Sequence, residues 1–312
     1  MSDLDYRRTA LLLITPDAVR RHLSAEVLRR LDVAGFRVAG HRLWHTAPGD
    51  LDAFHRRNAP VARDPALYRL IEDLFALGPL IALAVQEGTG HPPYGVHRRL
   101  AELKGRGDPA YAAPGSIRKD LRSINTVLNI VHSSDDAEDT AREAVPFLEG
   151  GHGPLETGES ALRRSLYLAE HGHPAETRLF EDVLAGVRTR VLAAVWGRIQ
   201  PARRALAESR PAFRDAALLG GPEGSELLTA VLPAGHRLGG IVDPPPPGGE
   251  CPADRRELEL DALAELGVVL DPWERLVLAT SRYYPPLPDS RAAGAPPGGA
   301  AVLAAAGEAV PG

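Results

Sequence analysis

The six residues Thr9–Ile14 carry no charge and run straight into Thr15-Pro16-Asp17, and no other stretch limits the fold of this chain so strongly. A continuous apolar run of that length reads as a strand buried on both faces. Pro is tolerated in the first turn of a helix and Asp suits its positive end, so the strand must pass directly into a helix. Val19, Leu23, Val27 and Leu31 then recur at helical spacing, and Gly35 stops the helix.

The same pattern continues for about 150 residues. Phe36, Val38 and Leu43 mark a second strand, and a Pro- and Arg-rich stretch, Ala47–Arg63, holds a short helix. A firmer helix spans Pro65–Leu77 and is broken at Gly78-Pro79. Leu80–Val85 is a third strand, Val96–Lys104 a helix, Asp108–Gly115 a loop, Asn129–His132 a fourth strand and Ala137–Phe147 a closing helix. Strand–helix–strand, helices, strand, helices, strand describes an α+β fold, a βαββαβ sandwich of the ferredoxin-like kind.

Glu149–Pro154 is a Gly-rich joint, which predicts one domain over 1–150 and a mainly helical one over 151–290. Phe180, Leu184, Val187, Val191 and Val195 line one face of a helix from about Ala175 to Ile199. Pro201, Pro211 and Gly220-Gly221 punctuate the chain beyond that helix. Leu227–Leu232 and His236–Val242 read as short strands or loops, Asp243–Gly249 as a connector and Arg255–Leu266 as a helix. Asp271-Pro272-Trp273-Glu274 is a capping box that opens a helix to about Ser281. Residues 291–312 are Pro/Gly/Ala-rich and are expected to be a disordered tail.

Composition narrows the class of function. The 312 residues include 36 Lys and Arg against 41 Asp and Glu, a net charge of −5, which argues against dedicated nucleic-acid binding. Cys251 is the only cysteine, so neither a disulfide framework nor a Cys-based metal cluster is available. With a charged start at Met1–Arg8 and apolar runs far below the ~20 residues of a membrane span, a soluble cytoplasmic protein is expected. Lysine is almost absent, so a lysine at a special position cannot be assumed. His22, His41, His45, His152, His171 and His173 are scattered without metal-ligand spacing, and no metal site is expected among them.

Four segments carry chemistry together: Ile14-Thr15-Pro16-Asp17-Ala18-Val19, Asp108–Arg118, Asn129-Ile130-Val131-His132-Ser133-Ser134-Asp135, and Glu143. A histidine at a strand end presents an imidazole that can attack a terminal phosphoryl group. Its second nitrogen needs an acceptor that fixes the tautomer. An arginine after a loop can grip phosphate oxygens in a fork. In order and spacing these segments resemble the motifs of nucleoside diphosphate kinases, over roughly Arg8–Phe147.

The resemblance implies residue roles. His132 would carry the phosphate, Glu143 would orient its ring and Ser134 would lie near the transferred group, these three forming the catalytic set. Asn129 would contact the sugar hydroxyl and Arg118 the phosphates, with Tyr68 (or Leu67) as the platform for the base. Mg²⁺ would enter with the nucleotide, nucleoside tri- and diphosphates would be the substrates, and self-association through the N-terminal domain is expected.

The chain also departs from the family pattern. Thr15 stands where the family has a lysine that donates to the transferred phosphate, and His55 stands where it has a tyrosine. A family arginine falls at Ala101, with Arg98, Arg99 and Arg106 as candidate substitutes and Arg99 taken as the nucleotide contact. Gly107 replaces a threonine, and Ser133 replaces the glycine after the histidine. Three readings stand open: a phosphotransferase that works through a phosphohistidine with reduced activity, a catalytically degenerate module that binds a nucleotide or a protein, or a scaffold whose C-terminal half carries the function. The C-terminal half shows no Gly-rich phosphate loop and no nucleophile with its base, so the sequence assigns it no chemistry.

Overall fold

The computed structural model describes residues 4–46, 51, 65–90, 95–149, 154–215, 220–232, 238, 260–284 and 286. Its centre is a four-stranded antiparallel sheet of β1 (Thr9–Ile14), β2 (Phe36–Trp44), β3 (Leu80–Glu87) and β4 (Val131–Ser133), in the order β2-β3-β1-β4. The expected β1 is there and every residue of it is buried. Its period-2 alternation divides the molecule into two apolar layers. Leu11 and Leu13 face one, with Trp44, Ala82 and Ala84; Leu12 and Ile14 face the other, with Ile81, Leu83 and Val85.

Between β1 and β2 lie α1 (Pro16–Arg20) and α2 (Ser24–Val33), two short helices where one continuous helix is expected from the apolar spacing. The break falls at His22, whose φ of 53° is left-handed and cannot continue a helix. Helix α3 (Pro65–Phe75) precedes β3; α4 (Val96–Lys104) and the single turn α5 (Ile117–Asp120) precede β4. Strand β4 begins two residues later than expected because Asn129 and Ile130 belong to a turn. The closing helix α6 (Ala137–Ala144) ends in a wider turn over Val145–Glu149, where Pro146 has no N–H to continue the α-helical ladder.

The rest is mostly helical: α7 (Glu159–Glu170), α8 (Phe180–Ala194), α9 (Trp196–Ser209), α10 (Pro222–Val231), α11 (Leu260–Glu265) and α12 (Pro272–Tyr283). The helix expected to run to Ile199 ends at Ala194, and Ile199 belongs to α9. Pro201 sits inside α9 near its start, where it removes one hydrogen bond without ending the helix. Leu227–Leu232, expected as a strand or loop, lies mostly in α10. Pro222 at the first position starts that helix, and Leu227 and Leu228 are buried along it. The capping box is present: the Glu274 amide donates to Asp271 Oδ1 at 2.8 Å, and the Asp271 amide to Glu274 Oε2 at 3.1 Å.

These helices share an apolar layer with the sheet. Leu11, Leu13, Leu70, Leu74 and Phe147 join Val183, Val187, Leu227, Trp273 and Leu276 in one continuous core. A polar contact ties the halves as well. Asn125 Nδ2, buried in the loop before β4, donates to Thr280 Oγ1 at 2.9 Å and to Ser281 Oγ at 3.2 Å on α12. No described helix is long and apolar enough to cross a membrane. Cys251, the connector at 243–249 and the expected tail at 291–312 lie outside the described residues.

Candidate active site

His132 lies on β4, in register with Leu13 of β1. Paired residues of an antiparallel ladder project to the same face, so the imidazole emerges on the face of Leu11 and Leu13. The turn that delivers it is under strain. Ile130 is fully buried with φ of +76°, a left-handed conformation that a β-branched side chain strongly disfavours.

Two contacts from the first motif hold that turn. The Ile130 amide donates to Asp17 Oδ2 at 3.0 Å, and the Thr15 amide donates to the Ile130 carbonyl at 3.1 Å. Thr15 Oγ1 in turn donates to Asp17 Oδ1 at 2.6 Å. Burial pushes the Asp17 carboxyl up from its ordinary value, against the opposing pull of Thr15, Arg21 and the Ile130 amide. The Thr15 hydroxyl is therefore engaged in holding the strand that bears His132.

Strand β4 is at the sheet edge, so the carbonyls that point away from β1 need partners other than another strand. Cationic side chains supply them. Arg118 Nη2 donates to the Val131 carbonyl at 2.8 Å and its Nη1 to the Gly105 carbonyl at 3.0 Å. Lys104 Nζ donates to the Ser133 carbonyl at 3.1 Å and contacts Asp135 Oδ1 at 3.3 Å. The two residues flanking His132 are thus each gripped by a buried positive charge. Desolvation brings Arg118 down to about 10, and burial together with Arg118 lowers Lys104.

The imidazole meets its acid as expected: His132 Nε2 lies 3.0 Å from Glu143 Oε2, one helix later on α6. Glu143 is nearly buried and its other oxygen is 3.4 Å from Arg142, whereas the His132 side chain is 32 % exposed. A carboxylate can only accept, so Nε2 carries the proton and the ring lone pair is on Nδ1.

The other expected site residues are placed variously. Ser134 Oγ accepts the Leu11 amide at 3.1 Å and lies 2.6 Å from Thr140 Oγ1, which in turn lies 2.9 Å from His97 Nε2. It braces β4 against β1 and α6. Asn129 Nδ2 donates to the Thr126 carbonyl at 2.6 Å. Tyr68, on α3, is partly buried against the apolar layer shared with the C-terminal helices. Arg99 pairs with Glu87 and the Ala34 carbonyl and covers the Phe36 ring at 4.9 Å. Glu87 is five residues along β3 from Ala82, the residue aligned with Leu13, or ~17 Å at strand spacing. Arg98 is exposed beside Glu102, and Arg106 lies over Tyr111 at 5.9 Å. His55 lies outside the described residues.

Lys104 is a site residue that motif and spacing alone do not single out, although a signal exists. It lies at successive steps of four from Val96 and Leu100, so it falls on the apolar stripe of α4 where a charged residue has no reason to be unless it is paired.

A family model described as Nucleoside diphosphate kinase matches residues 8–151. The nucleoside diphosphate kinase of Pasteurella multocida is 32 % identical over 137 residues, which are 44 % of this chain and 91 % of that protein. The chain belongs to the nucleoside diphosphate kinase family. The "Nucleoside diphosphate kinase 2, chloroplastic" of Nicotiana tabacum is 35 % identical over 140 residues, 45 % of this chain and 56 % of that protein. Among solved structures, a nucleoside diphosphate kinase family protein of Babesia bovis is 26 % identical with a TM-score of 0.39, covering 51 % of this chain and 99 % of that one. For a member of the nucleoside diphosphate kinase family, the unusual point is local: the threonine of the first motif is turned inward onto Asp17, and the site's buried cations are Lys104 and Arg118 at the strand edge.

Proposed function

We propose that the chain is a nucleoside diphosphate kinase-like phosphotransferase that moves a terminal phosphate through His132. The observation that carries this reading is the 3.0 Å contact between His132 Nε2 and Glu143 Oε2 on a ring that is one third exposed. The Nδ1 lone pair attacks the terminal phosphorus of a nucleoside triphosphate, a P–N bond forms, and the bond to the bridging oxygen breaks to release the diphosphate. Nε2 keeps its proton throughout, and Glu143 balances the positive charge that develops on the ring. A terminal phosphate oxygen of an acceptor, a second nucleoside diphosphate, then attacks the phosphohistidine and frees the ring.

Mg²⁺ bound to the nucleotide would shield the phosphate charge that His132 approaches. The residues present suit an ion carried in by phosphates rather than a protein cage. Glu143 is engaged by His132 and Arg142, and Asp17 by Thr15 and Ile130. Asp135, 75 % exposed, offers a carboxylate beside β4, and among the described residues no cluster of three ligating side chains occurs.

The second reading, a module that binds nucleotide without transfer, is favoured by Thr15. Its hydroxyl faces Asp17, and it brings no positive charge to a phosphate. Incubation of the full chain with γ-labelled ATP and Mg²⁺ separates the two. Acid-labile, alkali-stable label that is lost in His132→Ala supports transfer. Nucleotide affinity with no label in the wild type supports the binding module and ends the first proposal.

A further inference from the structure

At the β4 edge of the sheet, Arg118 and Lys104 take the outward carbonyls. At the opposite edge, β2, the cover is a segment from beyond the Gly-rich joint. The His41 amide donates to the Glu156 carbonyl at 2.9 Å, and the Glu156 amide returns to the His41 carbonyl at 3.0 Å, an antiparallel bridge added to the four strands. Gly40 admits this segment: a Cβ there would stand 3.2 Å from Leu155 Cβ and Cδ1, tighter than ordinary contact. Leu155 packs with one apolar layer, and α7, which follows, lays Leu162, Leu166 and Ala169 on the other. Buried His41 Nε2 meets Ser165 Oγ of α7 at 3.2 Å, and the far end of α7 is fastened where the Ser24 amide donates to Glu170 Oε1 at 3.0 Å. Residues 155–170 therefore wrap the β2 edge from one face of the sheet to the other.

An uncovered edge strand offers its amides and carbonyls to a second strand, and an identical strand of another copy satisfies the same geometry twice over. Strand β2 has nine residues, enough for such pairing, yet it is bulged between Val38 and Gly40, bridged at His41 and flanked by α7. Beside the bridge a cavity of about 600 Å³ lies between α2 and α7, lined in part by Arg29, Asp32, Arg37, Glu159 and Arg163. An incoming strand would have to strip these charges of water. We infer that residues 155–170 are a strap, held by the His41–Glu156 bridge, that occupies the surface a second copy of this chain would pair with, and that the protein therefore works as a single chain. The inference does not use the phosphohistidine reading, since β2 and the strand of His132 lie at opposite edges of the sheet.

The test is the mass of the full chain in solution, by light scattering across a wide range of concentration, together with amide exchange at His41 and Glu156. The wild type should hold a single mass of 33.4 kDa, with both amides protected to the same degree at every concentration. Two independent variants release the strap: Glu156→Pro removes the amide that reaches His41, and Gly40→Val drives a side chain into Leu155. In dilute solution both amides should lose their protection, and on concentration the mass should double or rise further. A wild-type mass of two chains or more overturns the inference, and so do released variants that stay at the single mass. Protection retained in both variants overturns it as well, because the bridge would then not be what holds the strap. Should neither variant fold, the wild-type mass and the concentration dependence of its amide protection still decide. Labelling of His132 does not enter these measurements, so failure of the transferase reading would leave this inference standing.

Discussion

Asp17 accepts the amide of Ile130 at 3.0 Å, and Ile130 is the buried β-branched residue held at φ +76° two positions before His132. The first motif and the histidine motif are therefore mechanically one unit. The acid that opens helix α1 holds the strained turn from which the histidine strand leaves.

Asp17→Ala should accordingly destabilise the protein by about 1–3 kcal/mol, since it strands the buried Ile130 amide. Asp17→Asn, which keeps an acceptor for Ile130, should lose less. Urea denaturation of the two variants checks the order; equal losses would mean that the turn is held by other contacts.

Burial raises the Asp17 carboxyl above its unfolded value, so the folded state binds more protons through the interval between the unfolded and the folded pKa. The stability tied to this group is therefore fully present below the unfolded pKa and is lost as pH rises through the folded one. Wild-type stability relative to Asp17→Asn should decline with rising pH across that interval. The difference between their denaturation midpoints, followed from about pH 3 upward, measures it.

Glu143→Gln keeps the shape of the contact to His132 and removes the charge that balances the developing imidazolium. The rate of phosphohistidine formation should fall by about 10²-fold, as for loss of one preorganised electrostatic partner, with nucleotide affinity nearly unchanged. Single-turnover labelling against a binding titration separates the two effects.

Thr15→Lys introduces a cation at the start of the motif and removes the hydroxyl that Asp17 accepts. Label transfer should increase, by up to about 10²-fold, while thermal stability drops slightly. A variant that folds and shows no gain would mean that a position-15 side chain cannot reach a bound phosphate.

On α12, the double substitution Thr280→Val with Ser281→Ala removes both acceptors of buried Asn125. About 1–3 kcal/mol should be lost, and nucleotide affinity should fall along with it because the loop 123–129 leads into Asn129 and β4. Calorimetric melting and a binding titration read the two consequences.

The sheet is legible in the sequence because β1 and β3 are continuous apolar runs bounded by Pro and Gly, signals that survive in a single chain. His132 and Glu143 are picked out by the resemblance to the family's motifs, and the structure brings the two side chains to 3.0 Å. Contacts that depend on tertiary packing are not legible in this way. Thr15 reads as a site residue, and that Asp17 claims its hydroxyl emerges only from the packing. Arg99 looks near the phosphates in sequence, yet Glu87 and Phe36 draw it to the far end of β3. Lys104 is hidden because an edge strand's need for outward partners emerges only once the strand order is known. In the C-terminal half, α10 escapes sequence reasoning because Leu227–Val231 is too short and apolar for periodicity to separate helix from strand.

The layer that runs without interruption from Leu11 to Trp273 has a consequence for how this protein can be handled and how it could have arisen. A cut after the Gly-rich joint would not liberate a self-contained sheet domain. It would strip α12 from α3 and open the apolar layer that Leu11, Leu13, Leu70 and Leu74 share with the C-terminal helices. The helical half is in effect an inseparable lining of the N-terminal half, and shortened versions should precipitate or demand a substitute cover.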